Sequence, residues 1–480
     1  MKKLTKKWLR DLDSNKFQNL SNEKLNEECG VLGIYNNDRA VATVVEGLYA
    51  LQHRGQESCG YAVSDGGVIT GSRGAGVIQE VFTPEEVEKI PGKMAIGHVK
   101  YSGAKERGIK NAQPLIVKHQ KGRLAIAVNA TLTNSEKLKQ DLSGKGAMFT
   151  TDTDAEIIAQ IAVRKRLKSS SIEEAVLETV KKIKGCYSLV MMSPTKLIAV
   201  RDPHGFRPLC LGKLGDGFVV ASETAALDTV KAEFLRDILP GEIVVIDSDG
   251  VRSLRFGKSI ERAICIFEYI YFARPDSVVD GVSVHEARVQ AGMLLAKQRK
   301  TKADMVIGVP DSGLDAAIGY SKESKIPYGI GFHRNSYVGR TFIKPVQKER
   351  TTAIGVKLNV IKSAVEGKRI VMVDDSIVRG STSKNIVFAL RNAGAKEVHV
   401  RISSPTIHHP CYFGTDIPTR EELTSNKNSV EELCKIIGAD SLEFLDPNSL
   451  GKLINSNKKT YCDACFTGNY PVEAIDDEQK

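Results

Sequence analysis

Two aspartates and a cluster of hydroxyl side chains follow a short apolar run in the second half of the sequence. Ile370–Val373 reads IVMV, Asp374 and Asp375 come next, and Gly380–Ser383 reads GSTS. The apolar run predicts a buried strand, and GSTS suits a loop that opens into a helix, where free N–H groups and hydroxyls bind phosphate. The carboxylates can accept hydrogen bonds from sugar hydroxyls or hold Mg²⁺. The stretch therefore predicts a site for a phosphorylated ligand at the carboxyl end of a strand.

Cys29 is a second candidate for chemistry, because it follows a segment that differs from the rest of the chain. Residues 1–28 are basic and polar, lack the apolar core of a signal peptide, and contain acids that transit peptides avoid. We interpret them as a removable propeptide, although a disordered tail has the same composition. After cleavage, the α-amino group of Cys29 can act as general base toward its own thiol. The thiolate can then attack a side-chain amide, form a thioester and release ammonia.

Cys462 and Cys465 form a C-x-x-C pair near the carboxyl end. This spacing alone is compatible with zinc, a redox disulfide or an iron–sulfur cluster, and the sequence has no second C-x-x-C to decide between them. The other ligands of a metal group, if one is present, must come from distant parts of the chain.

The stretch around Asp374 resembles the signature by which type I phosphoribosyltransferases bind phosphoribosyl pyrophosphate (PRPP). A predicted strand at Met305–Val309 runs into Pro310–Gly313, which is similar to the pyrophosphate and Mg²⁺ loop of that family, and Tyr337–Ile343 resembles its mobile flap. The resemblance implies PRPP binding by Gly380, Ser381, Thr382 and Ser383, and Mg²⁺ binding by Ser312, Asp374 and Asp375.

Two segments of this chain, Cys29–Ile34 and Leu51–Gln56, resemble the class II, N-terminal-nucleophile glutamine amidotransferases. The two halves, in this order, resemble the amidophosphoribosyltransferase family, which performs the first committed step of purine biosynthesis. There, ammonia from glutamine displaces pyrophosphate from PRPP and gives 5-phosphoribosylamine. The resemblance implies that Cys29 is the nucleophile and Asn129 an oxyanion donor, and it places Arg54, Lys100, Ala130 and Asp154 in the glutamine pocket.

The match is closest to the bacillus and clostridial type of the family, which carries an iron–sulfur cluster. Cys265, Cys411, Cys462 and Cys465 lie in sequence that is similar to the four [4Fe–4S] ligand positions of that type. The resemblance also implies a homotetramer that purine nucleotides inhibit. The remaining cysteines are expected to be packing residues: Cys59, Cys186, Cys210 and Cys434.

Three positions depart from the family pattern. Ala130 stands where the family has Gly, Lys100 stands where an Arg contacts the glutamine carboxylate, and Arg334-Asn335-Ser336 replaces Lys-Asn-Arg at the flap. Lys keeps the charge of Arg but not its two-pronged hydrogen bonding. We therefore expect weakened glutamine use and comparatively good use of free ammonia. An ammonia-only transferase and a PRPP-sensing regulator that binds nucleic acid remain alternatives.

Length, composition and charge limit the kind of protein that positions these residues. The chain has 480 residues, 41% of them apolar and 26% charged, and its net charge is +10. The length indicates two or three domains, and no apolar window is long enough for a spanning helix. Nine dilute cysteines indicate a reducing, cytoplasmic compartment. The spread of basic charge suits a polyanionic small substrate and indicates no nucleic-acid partner.

The elements divide near residue 260. Residues 29–260 contain many short strand-like runs with helices near Asp154–Arg166 and Ile172–Ile183, which is typical of an α+β domain. The family resemblance implies an αββα sandwich there. Residues 261–480 alternate strands and helices, which predicts an α/β domain on a parallel sheet, of the type I phosphoribosyltransferase kind by resemblance.

Overall fold

The structure is a computed structural model that describes residues 29–101, 108–257, 260–335, 358–417, 419–455 and 460–472. The predicted propeptide at residues 1–28 and the predicted flap at Tyr337–Ile343 lie outside these residues. In chain order, the amino-terminal half contains strands β1 (Gly30–Tyr35), β2 (Ser58–Asp65), β3 (Val68–Ala75), β4 (Met94–Lys100), β5 (Leu115–His119), β6 (Gly122–Leu132), β7 (Gly185–Met192), β8 (Leu197–Arg201), β9 (Cys210–Leu214), β10 (Gly217–Ala221), β11 (Glu233–Asp237), β12 (Glu242–Asp247) and β13 (Gly250–Arg255). Its helices are α1 (Ala40–Ala50), α2 (Ile78–Val81), α3 (Pro84–Val87), α4 (Ser135–Ser143), α5 (Asp154–Lys168), α6 (Ile172–Val180) and α7 (Thr224–Thr229).

Two antiparallel sheets stack face to face in this half, in the strand orders β11-β9-β10-β1-β4-β2-β3 and β13-β12-β8-β7-β6-β5. Val31 and Ile96 from the first sheet share one buried cluster with Ala125 and Val190 from the second. Helices α1 and α7 cover the outer face of the first sheet, and α5 and α6 cover that of the second. Strand β7 is buried along its whole length because it has the other sheet on one side and helices on the other. The αββα sandwich of the N-terminal-nucleophile fold is therefore confirmed.

The carboxy-terminal half is built on a parallel sheet. Its strands are β14 (Ile264–Cys265), β15 (Val278–Val279), β16 (Val282–Ser283), β17 (Met305–Gly308), β18 (Phe332–Arg334), β19 (Leu358–Val360), β20 (Arg369–Asp374), β21 (Glu397–Ile402), β22 (Ser441–Phe444) and β23 (Tyr461–Cys462). Its helices are α8 (Val284–Gln298), α9 (Leu314–Ser324), α10 (Lys362–Val365), α11 (Ser381–Asn392), α12 (Val430–Ile437), α13 (Leu450–Leu453) and α14 (Ala464–Thr467).

Four parallel strands in the order β17-β20-β21-β22 form the centre of this half. Helices α8, α9 and α13 cover one face of the sheet, and α11 and α12 cover the other. Strand β20 is buried on both faces, and this explains why its sequence is a continuous apolar run and not an alternating one. The predicted α/β fold of the phosphoribosyltransferase type is confirmed. Among the described residues, every helix is too short or too polar to cross a bilayer.

A buried arginine joins the two halves. Arg201, at the end of β8, is fully buried, and its Nη1 and Nη2 donate to Oδ1 and Oδ2 of Asp280 at 2.7 and 2.9 Å. The same guanidinium donates to the carbonyl oxygens of Gly205, Arg207 and Ile238. Asp280 lies between β15 and β16, on the carboxy-terminal side of the junction. Breaking this pair is costly because the buried guanidinium loses the carboxylate to which it donates.

We expect Asp280→Asn to lower the free energy of unfolding by about 3 kcal/mol. The value is at the low end for a broken buried pair because three carbonyl groups still accept hydrogen bonds from Arg201. Asp38→Asn is the matched control, since Asp38 pairs with Lys93 at 3.0 Å on the exposed surface. It should cost less than about 1 kcal/mol in the same urea titration. Equal losses in the two variants would contradict the assignment of Arg201–Asp280 as an interdomain contact.

Candidate functional site

The predicted phosphate site is an open, polar cleft at the carboxyl end of β20. Gly380 is the N-cap of α11, with φ 85° and ψ −6°, a left-handed conformation that glycine adopts without strain. Helix α11 begins at Ser381, so the three hydroxyl residues form its first turn, where N–H groups lack helical partners. Ser381 itself is not among the residues that line the cleft, which are Asp374, Asp375, Ser376, Ile377, Val378, Gly380, Thr382 and Ser383.

Hydroxyl groups hold the Asp375 carboxylate from two sides. Ser312 Oγ donates to Asp375 Oδ1 at 2.5 Å, and Ser376 Oγ donates to Asp375 Oδ2 at 2.6 Å. The Asp375 amide in turn donates to Asp374 Oδ1 at 3.0 Å. Ser312 lies just before α9, so the predicted pyrophosphate loop and the acidic pair meet directly. In this structure Ser312 orients a carboxylate.

The base of the predicted flap contacts the same loop. Arg334, the last residue of β18, forms an ion pair with Asp311 of the Pro310–Gly313 loop. Arg334, the first residue of the segment that departs from the family pattern, therefore lies beside the pyrophosphate loop. Ser336, the last residue of that segment, lies outside the described residues.

Cys29 lies where the two sheets of the sandwich meet. It immediately precedes β1 in the first sheet, is partly buried, and has its Sγ 3.6 Å from the carbonyl oxygen of Tyr101. Asn129, on β6 of the second sheet, donates its Nδ2 to the Cys29 carbonyl oxygen at 3.0 Å. The structure therefore brings the predicted nucleophile and the predicted oxyanion donor together.

Other predicted pocket residues lie on or beside the same strands. Asp154, the first residue of α5, accepts a hydrogen bond from the amide of Leu132 at 2.7 Å, so it fixes the end of β6. Ala130 lies within β6 and is not among the residues with positive φ, so alanine fits the backbone there without strain. Lys100, at the end of β4, is 3% exposed. The predicted weakening of glutamine use at Lys100 and Ala130 stays a prediction.

Nothing in the sequence pattern indicated the residues that anchor β6 beside Asn129. Gln113 accepts a hydrogen bond from the Val128 amide at 2.8 Å and donates to the Val128 carbonyl oxygen at 3.0 Å. His98 Nε2 contacts the same carbonyl oxygen at 3.1 Å. Burial, and then the charge of Lys100, lowers the pKa of His98 to about 3, so the neutral ring donates this hydrogen bond.

Arg54, also predicted to belong to the glutamine pocket, pairs with two buried carboxylates. Its Nη2 lies 2.6 Å from Oε2 of Glu268, and its Nε forms an ion pair with Glu223. His53 Nε2 also contacts Glu223, at 2.7 Å. Burial raises the pKa of Glu223, but Arg54 and His53 outweigh it and hold that pKa below the usual range. The Arg54 side chain therefore bridges the sandwich to the segment that begins the carboxy-terminal half.

The four predicted cluster ligands line one cavity. Cys265 and Cys462 are paired residues of the parallel strands β14 and β23, which brings positions far apart in sequence side by side. Burial raises the pKa of Cys462 to about 12, and burial together with the other three cysteines raises that of Cys465. Within the described ranges no three His, Cys, Asp or Glu side chains are grouped tightly enough for a single metal ion. The apolar part of the wall includes Phe206, Phe267, Phe413, Ile417 and Ala464.

Comparisons with known proteins agree on one family. The family described as a glutamine amidotransferase domain matches residues 105–229. The amidophosphoribosyltransferase of Bacillus subtilis is 47% identical over 458 residues, which cover 94% of this chain and 96% of that protein. The enzyme of the same name from Archaeoglobus fulgidus is 46% identical, covering 94% and 99% of the two chains. A solved structure of the Bacillus subtilis glutamine PRPP amidotransferase, in complex with ADP and GMP, has a TM-score of 0.88 at 47% identity and covers 94% of this chain and 98% of that one.

We expect Ser312→Ala to weaken the binding of PRPP with Mg²⁺ by about tenfold, because Asp375 loses a hydroxyl donor that orients its charge. Titration calorimetry of the full chain measures this directly. Ser321→Ala is the matched control, since Ser321 lies on α9 and donates to the Ile326 carbonyl oxygen, away from the cleft. Unchanged PRPP affinity in Ser312→Ala would show that Ser312 does not act through Asp375.

Proposed function

The chain belongs to the amidophosphoribosyltransferase family, and on that premise we propose how its residues divide the reaction. The family reaction uses glutamine and PRPP and gives 5-phosphoribosylamine, glutamate and pyrophosphate, the first step of purine biosynthesis. The relatives favour neither the ammonia-only transferase nor the PRPP-sensing regulator. They match nearly the whole chain, and the names of these relatives describe the glutamine-dependent enzyme. The observation on which the proposal rests is the hydrogen bond from Asn129 to Cys29, which brings the proposed oxyanion donor to the proposed nucleophile.

In the amino-terminal half, Cys29 attacks the side-chain amide of glutamine. Cleavage after residue 28 frees the α-amino group that takes the thiol proton and passes it to the leaving ammonia. Asn129 Nδ2 lies within hydrogen-bond distance of the Cys29 main chain, so it is placed to donate to an oxyanion formed beside that residue. Water then hydrolyses the thioester and releases glutamate. Asp154 faces the glutamine ammonium, and Lys100 faces the carboxylate.

In the carboxy-terminal half, PRPP binds in the cleft between the acidic pair and the first turn of α11. Gly380, Thr382 and Ser383 contact the 5-phosphate, and Asp374 and Asp375 face the ribose and the Mg²⁺ that accompanies the pyrophosphate. Two carboxylates suit Mg²⁺, because this ion keeps several waters and substrate phosphates among its ligands. Ammonia displaces pyrophosphate from the anomeric carbon. The residues here position the reactants and stabilise charge, so no protein nucleophile is required.

The cavity lined by Cys265, Cys411, Cys462 and Cys465 fits a [4Fe–4S] cluster. Four thiols that form no disulfide surround one apolar volume, which matches the Cys₄ ligand set of such clusters. The amide of Phe413 also donates to Cys411 Sγ at 3.3 Å, the kind of hydrogen bond that tunes cluster sulfurs. We assign the cluster a structural role, because its ligands join the domain junction to the end of the chain.

Three further properties complete the proposal. A relative was solved with ADP and GMP, so we propose that purine nucleotides regulate this chain as well. We propose a homotetramer, following the family resemblance. We propose a cytoplasmic location, because the cysteines require a reducing environment.

We expect Cys29→Ala to lower glutamine-dependent turnover by more than about 10³-fold and to leave ammonia-dependent turnover within a factor of about two, since only the glutaminase half needs the nucleophile. Steady-state assays with each nitrogen donor, combined with mass spectrometry of the mature amino terminus, check this. Cys434→Ala is the control, because Cys434 lies in α12 of the carboxy-terminal half, where its thiol donates to the Ala439 carbonyl oxygen. Glutamine use that survives Cys29→Ala would overturn the proposed mechanism.

We expect the purified chain to contain about four iron atoms and four sulfides, and Cys462→Ser to lose most of them and unfold at a lower temperature. Iron analysis, visible absorption and thermal unfolding under argon measure the three effects. Cys210→Ser, at another buried cysteine, should keep its iron. An iron-free, fully stable wild-type protein would remove the cluster from the proposal.

A further inference from the structure

The loop Cys411–Gly414, which we call the cysteine loop, contacts the glutaminase sandwich as well as the four-cysteine cavity. Cys186, on β7, donates its Sγ to the Phe413 carbonyl oxygen at 2.9 Å. Arg207 Nη2 donates to the same oxygen, and the ring of Phe413 stacks on Phe206 with centroids 4.5 Å apart. All of these side chains are buried. The cysteine loop is therefore held against the amino-terminal half by two hydrogen bonds and an aromatic contact.

Gly414 brings the backbone of the cysteine loop against Thr131. Its φ is 104°, and a Cβ added there would lie 2.8 Å from Thr131 Oγ1 and 2.9 Å from Arg207 Nη2. Glycine is thus required both by the backbone conformation and by the close approach. A side chain at this position must push away the Thr131 hydroxyl and the end of the Arg207 side chain, which itself holds the cysteine loop.

Thr131 is two residues from Asn129 on β6, so both side chains lie on the same face of the strand. Thr131 is also paired with Cys186 across β6 and β7, so the cysteine loop contacts both members of one strand pair. Beyond Thr131, the amide of Leu132 is held by Asp154. Thr131 thus links the cysteine loop to the strand face from which Asn129 contacts Cys29.

We propose that the cysteine loop is a positioning element of the glutaminase site: it sets β6 so that Asn129 faces Cys29. Cys186, expected from the sequence to be a packing residue, holds the loop in place through its thiol, and Gly414 permits the contact with Thr131. The proposal rests on the proposed function, because it takes Asn129 and Cys29 as the reacting site. It makes glutamine use, but not ammonia use, depend on a loop that belongs to the carboxy-terminal half.

The central test compares Gly414→Ala with Gly250→Ala in the full-length protein. Gly250 has φ 100° and nothing within 4 Å of its added Cβ, so it matches the backbone strain without the contact. We expect Gly414→Ala to lower kcat/KM for glutamine by at least about tenfold, as misplaced catalytic groups do, with kcat/KM for ammonia within about twofold of wild type. Gly250→Ala should leave both values within about twofold of wild type.

A readout independent of turnover is the rate at which a chloroketone analogue of glutamine alkylates Cys29, measured by mass spectrometry. It should fall in Gly414→Ala, while iron per chain stays at the wild-type value. Cys186→Ala should reproduce the loss of glutamine use and of alkylation. Cys186→Ser should restore both, because a serine hydroxyl can donate to the Phe413 carbonyl oxygen.

Three results would overturn the inference: an unchanged ratio of glutamine to ammonia use in Gly414→Ala, an equal loss of both activities together with iron, or an equal effect of Gly250→Ala. These outcomes are separate from failure of the proposed function. If Cys29→Ala kept glutamine use, the nucleophile itself would be wrong. If Cys29→Ala abolished glutamine use while Gly414→Ala left it unchanged, only the role of the cysteine loop would be wrong.

Discussion

The Arg54 guanidinium is buried where the two halves of the chain meet, and it donates to one carboxylate from each half. Arg54 is 1% exposed, and its counterions are Glu223 from the sandwich and Glu268 from the segment that leads into the second half. Removing either carboxylate would strand a charge away from water, which costs far more free energy than removing one apolar side chain from the same interface. The pairing of Arg54 with Glu223 and Glu268 therefore holds the segment after residue 260 against the sandwich, and with it the two halves that contain the reacting sites.

The same junction contains further contacts that tie the glutaminase half to the phosphoribosyltransferase half. Glu223 also accepts hydrogen bonds from the Arg274 amide and the Ser277 hydroxyl, so the residues that follow Glu268 are tied to the glutaminase half as well. Arg201 and Asp280 extend the contact. These buried ionic contacts hold the two halves against each other, because a buried charge that loses its partner is costly.

Local patterns in the sequence were sufficient where a single element carries its own chemistry. The strand before Asp374 and the helix after Gly380 were evident from the apolar run and the glycine, and the strand predicted at Met305–Val309 is present at Met305–Gly308. Arg54 shows what such patterns cannot give, because its partners are more than 160 residues away in sequence. Gln113 was missed for the same reason: a buried amide that holds a neighbouring strand leaves no periodic pattern. The convergence of four distant cysteines came from the family resemblance, and spacing alone left zinc and redox chemistry open.

The parallel pairing of β14 with β23 has a consequence for biosynthesis. Ile264 is paired with Tyr461, so the two strands are separated by 461 − 264 = 197 residues. Contacts between such distant segments form late, because the intervening chain must first be brought together. During synthesis on the ribosome, β14 emerges well before its partner β23. The contact is therefore completed only once Tyr461 has left the ribosome, and until then β14 has an unpaired edge at which another chain could pair.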